Sequence, residues 1–255
     1  MSRKSLINMI QAGNYYEKSF LAELSYTIVN NQEEYIPSKT LKPSSIRCPR
    51  QAVMQVLEFP RDQEQRTESS IFITECGTFT HEDIQRYCTK MPNWEYIDVG
   101  KHVREKHLPL EIKKEQNIEN GEFETKLYSP EFNMSFLCDG VVKHKKSGKY
   151  FILEIKSIGN QGMYRLDDVP DKYKDQAVSY SQLLRIPSII FLFVNRDIGN
   201  KKSFLYTPSR EEIRSWQQKI ADCLMCINLR ILPDIPPEAS SSYCQYCNYK
   251  EACGR

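Results

Sequence analysis

The sequence predicts an α/β protein: a central mixed β-sheet flanked by helices, with a helical N-terminal part and a cysteine-bearing C-terminal segment. Three observations carry this expectation. Between Leu108 and Ser157, apolar and β-branched runs recur between the breaks at Gly121 and Pro130, as strands do. The buried-type run Ser188–Asn195 stands between two segments of helical spacing, Asp171–Leu184 and Ser209–Ile227. Finally, an extended connection from Leu232 to Ser242 leads to Cys244, Cys247 and Cys253.

Composition bounds the rest. The 255 residues suffice for a sizeable core, and 40% hydrophobic with 27% charged residues describes a globular chain. A net charge of +2 neither demands nor excludes nucleic acid, because the distribution of charge decides that. No apolar run reaches the length of a membrane span. The first eleven residues are basic, but Asn8 and Gln11 break their apolar character, so no signal-peptide core is expected. The reading is of a cytoplasmic protein without a membrane partner. Nine cysteines, an odd and uneven set, point to metal or cluster ligation plus buried thiols rather than disulfides.

In chain order, Lys4 to Asn30 reads as a helix with the stripe Leu6, Ile10, Phe20, Leu21, Leu24 and Ile28, expected to pack on the core. Residues 1–40 thus form an N-terminal extension, 41–231 the core and 232–255 a cysteine segment packed on it. Ser44 or Ser45 caps a helix in which Pro49 fits the first turn. Cys48 stands near its start, where partial positive charge favours a thiolate. Ile71–Cys88 is helical, with Gly77, His81, Ile84 and Cys88 on one face. Pro92 and Trp94 mark the end of that unit. Leu108–Ile112, Phe123–Tyr128, Met134–Val142 and Lys149–Ser157 read as a run of antiparallel strands. The segment Gly159–Pro170 is polar and irregular. The next helix carries Gln176 and Tyr180 one turn apart. Ser203–Thr207 is a candidate partner for the buried strand, and Ser209 with Glu212 forms a capping box.

Phe136–Ser157 carries the chemistry. Its two strands flank a polar turn, His144–Gly148. In the second, Phe151, Leu153 and Ile155 face one way, and Ile152, Glu154 and Lys156 the other. A carboxylate and an ammonium in so apolar a strand are costly unless used. Paired as a hairpin, the strands bring Asp139 toward Glu154, a place for a divalent cation and a phosphate. Glu-x-Lys alone is commonly a solvent-facing pair, and Asp-Gly alone a turn; their joint occurrence in apolar runs favours a site. A lone His81 on a helix face is more often a core residue than a ligand.

Cys244-x2-Cys247 with Cys253 is a strong ligand signal. A closed site wants a fourth ligand, and Cys48 is the best candidate. Cys76, Cys88, Cys138, Cys223 and Cys226 lie in apolar stripes and are expected in the core. Ligand softness does not separate zinc from an iron–sulfur cluster.

In order, Cys48, Gly77-x3-His81, Asp139-Gly140, Glu154-Ile155-Lys156, Gln176-x3-Tyr180 and the tail cysteines resemble the RecB-like branch of the PD-(D/E)XK nucleases. Within it, the chain is similar to the iron–sulfur exonucleases of CRISPR systems and their phage-encoded relatives. The resemblance spans Pro43 to Cys253 and implies a restriction-endonuclease-like core with a C-terminal iron–sulfur segment. It implies that His81, Asp139, Glu154 and the Ile155 carbonyl hold Mn²⁺ or Mg²⁺. Lys156 would activate water and offset transition-state charge, and Gln176 and Tyr180 would position the strand or support the site. Cys48, Cys244, Cys247 and Cys253 would ligate a [4Fe–4S] cluster.

The expected activity is a metal-dependent exonuclease on single-stranded DNA ends, its 5′→3′ polarity implied by the resemblance alone. The setting would be recombination, replication or CRISPR spacer acquisition, with the proteins of those complexes as partners. Tyr164, Arg165, Lys172, Tyr173 and Lys174 follow the active-site strand and combine cations with aromatics, a candidate DNA gate weighed equally against an ordinary loop. Two rival readings remain: a nuclease-fold DNA-binding adaptor with little or no catalysis, and a zinc-ribbon-like protein.

Overall fold

The computed structural model describes residues 3–31, 38–62, 67–237, 244 and 247–254, with side chains from residue 15 onward. The chain forms two compact units, Met1–Ile36 with Glu64–Glu75, and Pro37–Gln63 with Cys76–Arg255. The first holds α1, Arg3–Asn30. Leu6 and Ile10 of the expected stripe lie outside the described side chains, and Phe20, Leu21 and Leu24 are exposed.

The second unit carries two sheets. Five strands run in the order β1 (Trp94–Ile97), β5 (Gly140–His144), β6 (Tyr150–Ile158), β7 (Ile189–Asn195), β8 (Lys201–Tyr206). Three more, β2 (Glu111–Lys114), β3 (Lys126–Ser129) and β4 (Met134–Leu137), form the second sheet. The large sheet is mixed: β6 and β7 are parallel, while the other neighbours are antiparallel. A parallel pair needs a crossover, supplied here by α5 (Asn160–Tyr164) and α6 (Lys174–Leu184).

β6 is the middle strand, covered on both faces, which explains its near-continuous apolar sequence. Leu153 and Ile155 pack in a cluster with Val142, Val194 and Cys88, the last from α3 (Glu68–Cys88). Ile152 faces the main core, which includes Val178 and Leu184 of α6 and Trp216 of α7 (Arg210–Leu229). The Ser209–Glu212 capping box opens α7. Trp216 Nε1 donates to Ser179 Oγ at 2.7 Å, satisfying both polar groups inside the core.

Several expectations are corrected. Met134–Val142 is not one strand: β4 ends at Leu137 and β5 begins at Gly140, in different sheets. The physical cause sits at Asp139, whose carbonyl accepts from Gln85 Nε2 and Tyr96 Oη, each at 2.7 Å, and so leaves the ladder. The strands of the run do pair antiparallel, β2 with β3, β3 with β4 and β5 with β6, and the parallel pair involves the later strand β7. Trp94 opens β1 instead of closing a unit, and α4 (Val99–Glu105) follows, capped by the Asp98 side chain. Gly159–Pro170 contains the short helix α5. Cys76 is exposed rather than in the core. Among the described residues, no helix is long and apolar enough to cross a membrane.

Candidate active site and cysteine pocket

Asp139 stands where the chain passes from the small sheet to the large one. The last β5–β6 partners are Gly140 and Leu153, so the Ile155 N–H lies beyond that ladder. Asp139 Oδ2 accepts it at 2.5 Å. Gly140 is required here for a steric reason: a Cβ would lie 2.7 Å from the Tyr96 ring. The Asp139 carboxylate is thereby fixed from both ends, by its own backbone and by β6.

His81 comes from α3. Its Nδ1 lies 3.1 Å from Asp139 Oδ1. Burial disfavours the imidazolium, but the hydrogen bond and charge of Asp139, with Glu154, outweigh it and raise the His81 pKa. Gln85, one turn further along α3, is buried and donates to Glu124 Oε1 at 3.3 Å as well as to the Asp139 carbonyl.

Glu124 is the residue the sequence reading missed. Ligand atoms of His81, Glu124 and Asp139 all lie within 4.8 Å of one another, and among the described residues no Glu154 oxygen joins that set. Burial raises the Glu124 pKa, and the Asp139 charge adds to it. Its one sequence signal is a carboxylate between Phe123 and Thr125, which are both buried.

Glu154 is only 2% exposed. Its Oε1 pairs with Lys156 Nζ at 2.5 Å, while its Oε2 is buried with no hydrogen-bond partner among the described residues. Burial, then the Asp139 charge, push Glu154 up to about 7, against the pull of Lys156. For Lys156, burial acts downward and the Glu154 charge overrides it, so its pKa is raised. An orphaned oxygen beside crowded carboxylates is a group short of one cation. The donor set therefore fits a hard divalent ion, with imidazole favouring Mn²⁺.

Lys156 is held from its other side. Gln176 Oε1 accepts from Lys156 Nζ at 3.2 Å, Gln176 Nε2 donates to Tyr180 Oη at 2.9 Å, and Tyr180 Oη donates to the Leu137 carbonyl at 2.8 Å. Tyr180 is buried, so the relay supports the lysine and does not reach a substrate. Tyr173 also faces inward: its ring lies 4.8 Å from Lys156 Nζ and packs on Phe191 and Phe193. Of the expected gate, Tyr164 is 88% exposed, Arg165 and Lys172 are exposed, and Lys174 pairs with Asp171 at 2.7 Å. The gate residues thus divide into an exposed pair at the end of α5, a cation beyond it, and a tyrosine that belongs to the lysine.

A cavity of about 510 Å³ opens beside the carboxylates, lined by Gly77, His81, Gln85, Glu124, Lys126 and Leu137 among others. Gly77 has open space where a side chain would stand.

The cysteines form a second site. Cys48, at the start of α2 (Pro49–Val56), lines one pocket with Cys244, Cys247 and Cys253, together with Arg50 and Lys250. The pocket is closed by the sequence-distant end of the chain. Asp62 accepts from the Lys250 N–H at 2.8 Å and the Glu251 N–H at 3.2 Å, which anchors α8, Lys250–Cys253. Burial raises the Cys48 pKa; the Gln51 N–H opposes it, and the other three cysteines add to it. Four thiolates in one pocket need a cationic centre. A single tetrahedral zinc, with Zn–S near 2.3 Å, needs sulfurs roughly 3.8 Å apart. Among the described residues, no three cysteine sulfurs lie within 4.8 Å of one another. The donor chemistry, four cysteines lining one pocket, fits an iron–sulfur cluster.

No family model matches the sequence, and no curated protein matches it. Among solved structures, the crystal structure of SSO0001 is similar over 92% of this chain and 95% of its own, at 14% identity and a TM-score of 0.48. An alkaline exonuclease, LHK-Exo from Laribacter hongkongensis, covers 76% of this chain and 90% of its own, at 8% identity and a TM-score of 0.46. The same exonuclease in complex with dAMP matches 75% of this chain and 89% of its own, at 10% identity and a TM-score of 0.46. These are loose likenesses, and the functional reading rests on the side chains.

Proposed function

We propose that this protein is a divalent-metal-dependent nuclease that hydrolyses phosphodiester bonds at single-stranded DNA ends. One observation carries the reading: Glu154 Oε2 is buried and unpartnered beside Asp139, His81 and Lys156. His81, Asp139, Glu154 and the Ile155 carbonyl would hold the ion, with Glu124 as a further ligand. Bound Mn²⁺ or Mg²⁺ supplies Lewis acidity toward a phosphate and a water acidified to near neutral pH.

The chain's own residues do the rest. Asp139 is fixed by the Ile155 N–H and cannot swing away from the ion. Lys156, held between Glu154 and Gln176, presents a positive charge where negative charge develops. The cavity beside Glu124 has room for the nucleotide next to the reacting phosphate, and Lys126 on its wall suits a phosphate contact. Tyr164 and Arg165 offer a stacking ring and a cation to the strand beyond.

The motif order supports the exonuclease reading, and a 5′→3′ polarity rests on the family resemblance alone. It also supports a cytoplasmic role in recombination, replication or CRISPR spacer acquisition. The four-cysteine pocket supports a [4Fe–4S] cluster that clasps the end of the chain to α2, a long-range link that stabilises the fold by closing a large loop.

The test is cleavage of single strands labelled at either end, with Mn²⁺ and with Mg²⁺, by the parent, Glu154→Ala and Lys156→Ala. Mononucleotide release from one labelled end by the parent alone is expected. Equal cleavage by both variants would sink the site. Tight binding of single strands by an inactive parent would make the protein a DNA-binding adaptor.

A further inference from the structure

We propose that Arg50 is a hydrogen-bond donor to the metal centre in the cysteine pocket, and that it raises that centre's reduction potential. The inference rests on the iron–sulfur reading of the pocket.

Arg50 sits in the first turn of α2, two residues from Cys48. Its guanidinium is divided in use. Nη1 donates to the Pro233 carbonyl at 2.6 Å, across 183 residues of chain. Among the described residues, its Nε is buried without a hydrogen-bond acceptor. A buried cationic N–H without a partner is costly, and a planar guanidinium fixed at one nitrogen has little freedom to turn the other away. The pocket that Arg50 lines holds four cysteines. Of the acceptors around that pocket, the four cysteine sulfurs are the ones that a bound centre would make anionic.

The other donors in the pocket follow the same logic. Gln51 N–H bonds to the Cys48 sulfur, and Tyr249 N–H to the Cys247 sulfur. Arg50 differs from these in carrying a full positive charge. A [4Fe–4S] centre with four thiolates is dianionic when oxidised and gains one more negative charge when a one-electron reductant reduces it. A charged donor at its edge favours the reduced form, because hydrogen bonds to the sulfurs and net charge set cluster potentials. Lys250, on the same pocket, adds charge of the same sign. The second arm of Arg50 gives the contact a structural reach. Pro233 lies on the connection leading to Ile235 and Pro236, which also line the pocket. One side chain therefore touches both the centre and the strap that closes over it.

The experiment uses anaerobically prepared full-length protein with its iron and sulfide content measured. In protein carrying ¹⁵N-labelled arginine, pulsed EPR of the dithionite-reduced cluster should show a ¹⁵N coupling. Arg50→Gln should lose the coupling and shift the midpoint potential to more negative values, and Arg50→Lys should recover part of that shift without the coupling. A reduced parent cluster with no ¹⁵N coupling overturns the proposal, whatever the variants do. So does an Arg50→Gln cluster with the parent's potential. Protein with one zinc and no iron overturns the cluster reading as well, and the metal analysis separates that failure from the other two.

Discussion

Tyr96 Oη donates to the Asp139 carbonyl at 2.7 Å, and the same ring occupies the space where a side chain on residue 140 would stand. The aspartate is thus aimed by its neighbour's lack of a side chain. Gly140→Ala should displace Asp139 and abolish metal-dependent cleavage. Tyr96→Phe keeps the packing and loses one donor, with a stability cost of about 1–3 kcal/mol. Its kcat should fall while the KM for DNA holds, because the ring does not line the cavity beside the carboxylates. Chemical denaturation and steady-state kinetics on the two variants check both points, and an active Gly140→Ala protein would refute the aiming argument.

The central strand, the capping box of α7 and the Glu154–Lys156 pair were legible because each rests on local pattern: alternation, cap spacing and charges in an apolar run. Asp139 was legible as well, since the hairpin whose last partners are Gly140 and Leu153 brings it beside the Glu154–Ile155 stretch of β6. The break between β4 and β5 was not. Nothing in Met134–Val142 interrupts the strand pattern except Asp139-Gly140, and what interrupts the ladder is a pair of donors from Gln85 and Tyr96, far away in sequence. Glu124 was missed for the same reason. It becomes a ligand candidate only when α3 carries His81 to it, and no spacing rule joins residues 81 and 124.

Glu124 gives the sharpest prediction about the metal. Glu124→Gln keeps the Gln85 contact and the volume but removes a charge and a ligand oxygen. Mn²⁺ affinity should fall by about 10-fold or more. EPR titration of free Mn²⁺ against parent and variant measures this without any nuclease assay. Equal affinities would remove Glu124 from the ligand set and leave the ion to Asp139, Glu154 and His81.

The Lys156 relay predicts a kinetic signature. Tyr180→Phe deletes the hydroxyl that takes a bond from Gln176 and gives one to the Leu137 carbonyl. Lys156 then loses its fixed acceptor geometry without losing its charge. The expected result is a drop in kcat of about 10-fold with DNA affinity unchanged. Because Tyr180 is buried, weaker binding of DNA in this variant would mean that the tyrosine does more than position the lysine.

Glu154 links metal, pH and stability. Its pKa rises from 4.5 to about 7 on folding, first by burial and then by the Asp139 charge. Over that window the folded chain holds a proton that the unfolded chain has released, so this group's contribution to stability declines as pH rises. Glu154→Gln removes the titration. In metal-free protein, the Tm of the variant relative to the parent should therefore climb between about pH 5 and pH 7.5 and then level off. Comparing the two proteins at each pH cancels the constant effect of altering the Lys156 pair. Mn²⁺ at the alkaline end should raise the parent's Tm, because the ion supplies the missing counter-charge, and should raise the variant's much less. Metal affinity follows the same titration in the opposite sense. Glu154 must lose its proton to bind, and so must His81, whose pKa Asp139 also raises, so Mn²⁺ binding should strengthen as pH rises through neutrality. A Tm difference that stays flat across the range would mean that Lys156 keeps Glu154 ionised throughout, and the pH dependence of metal binding would then belong to His81 alone.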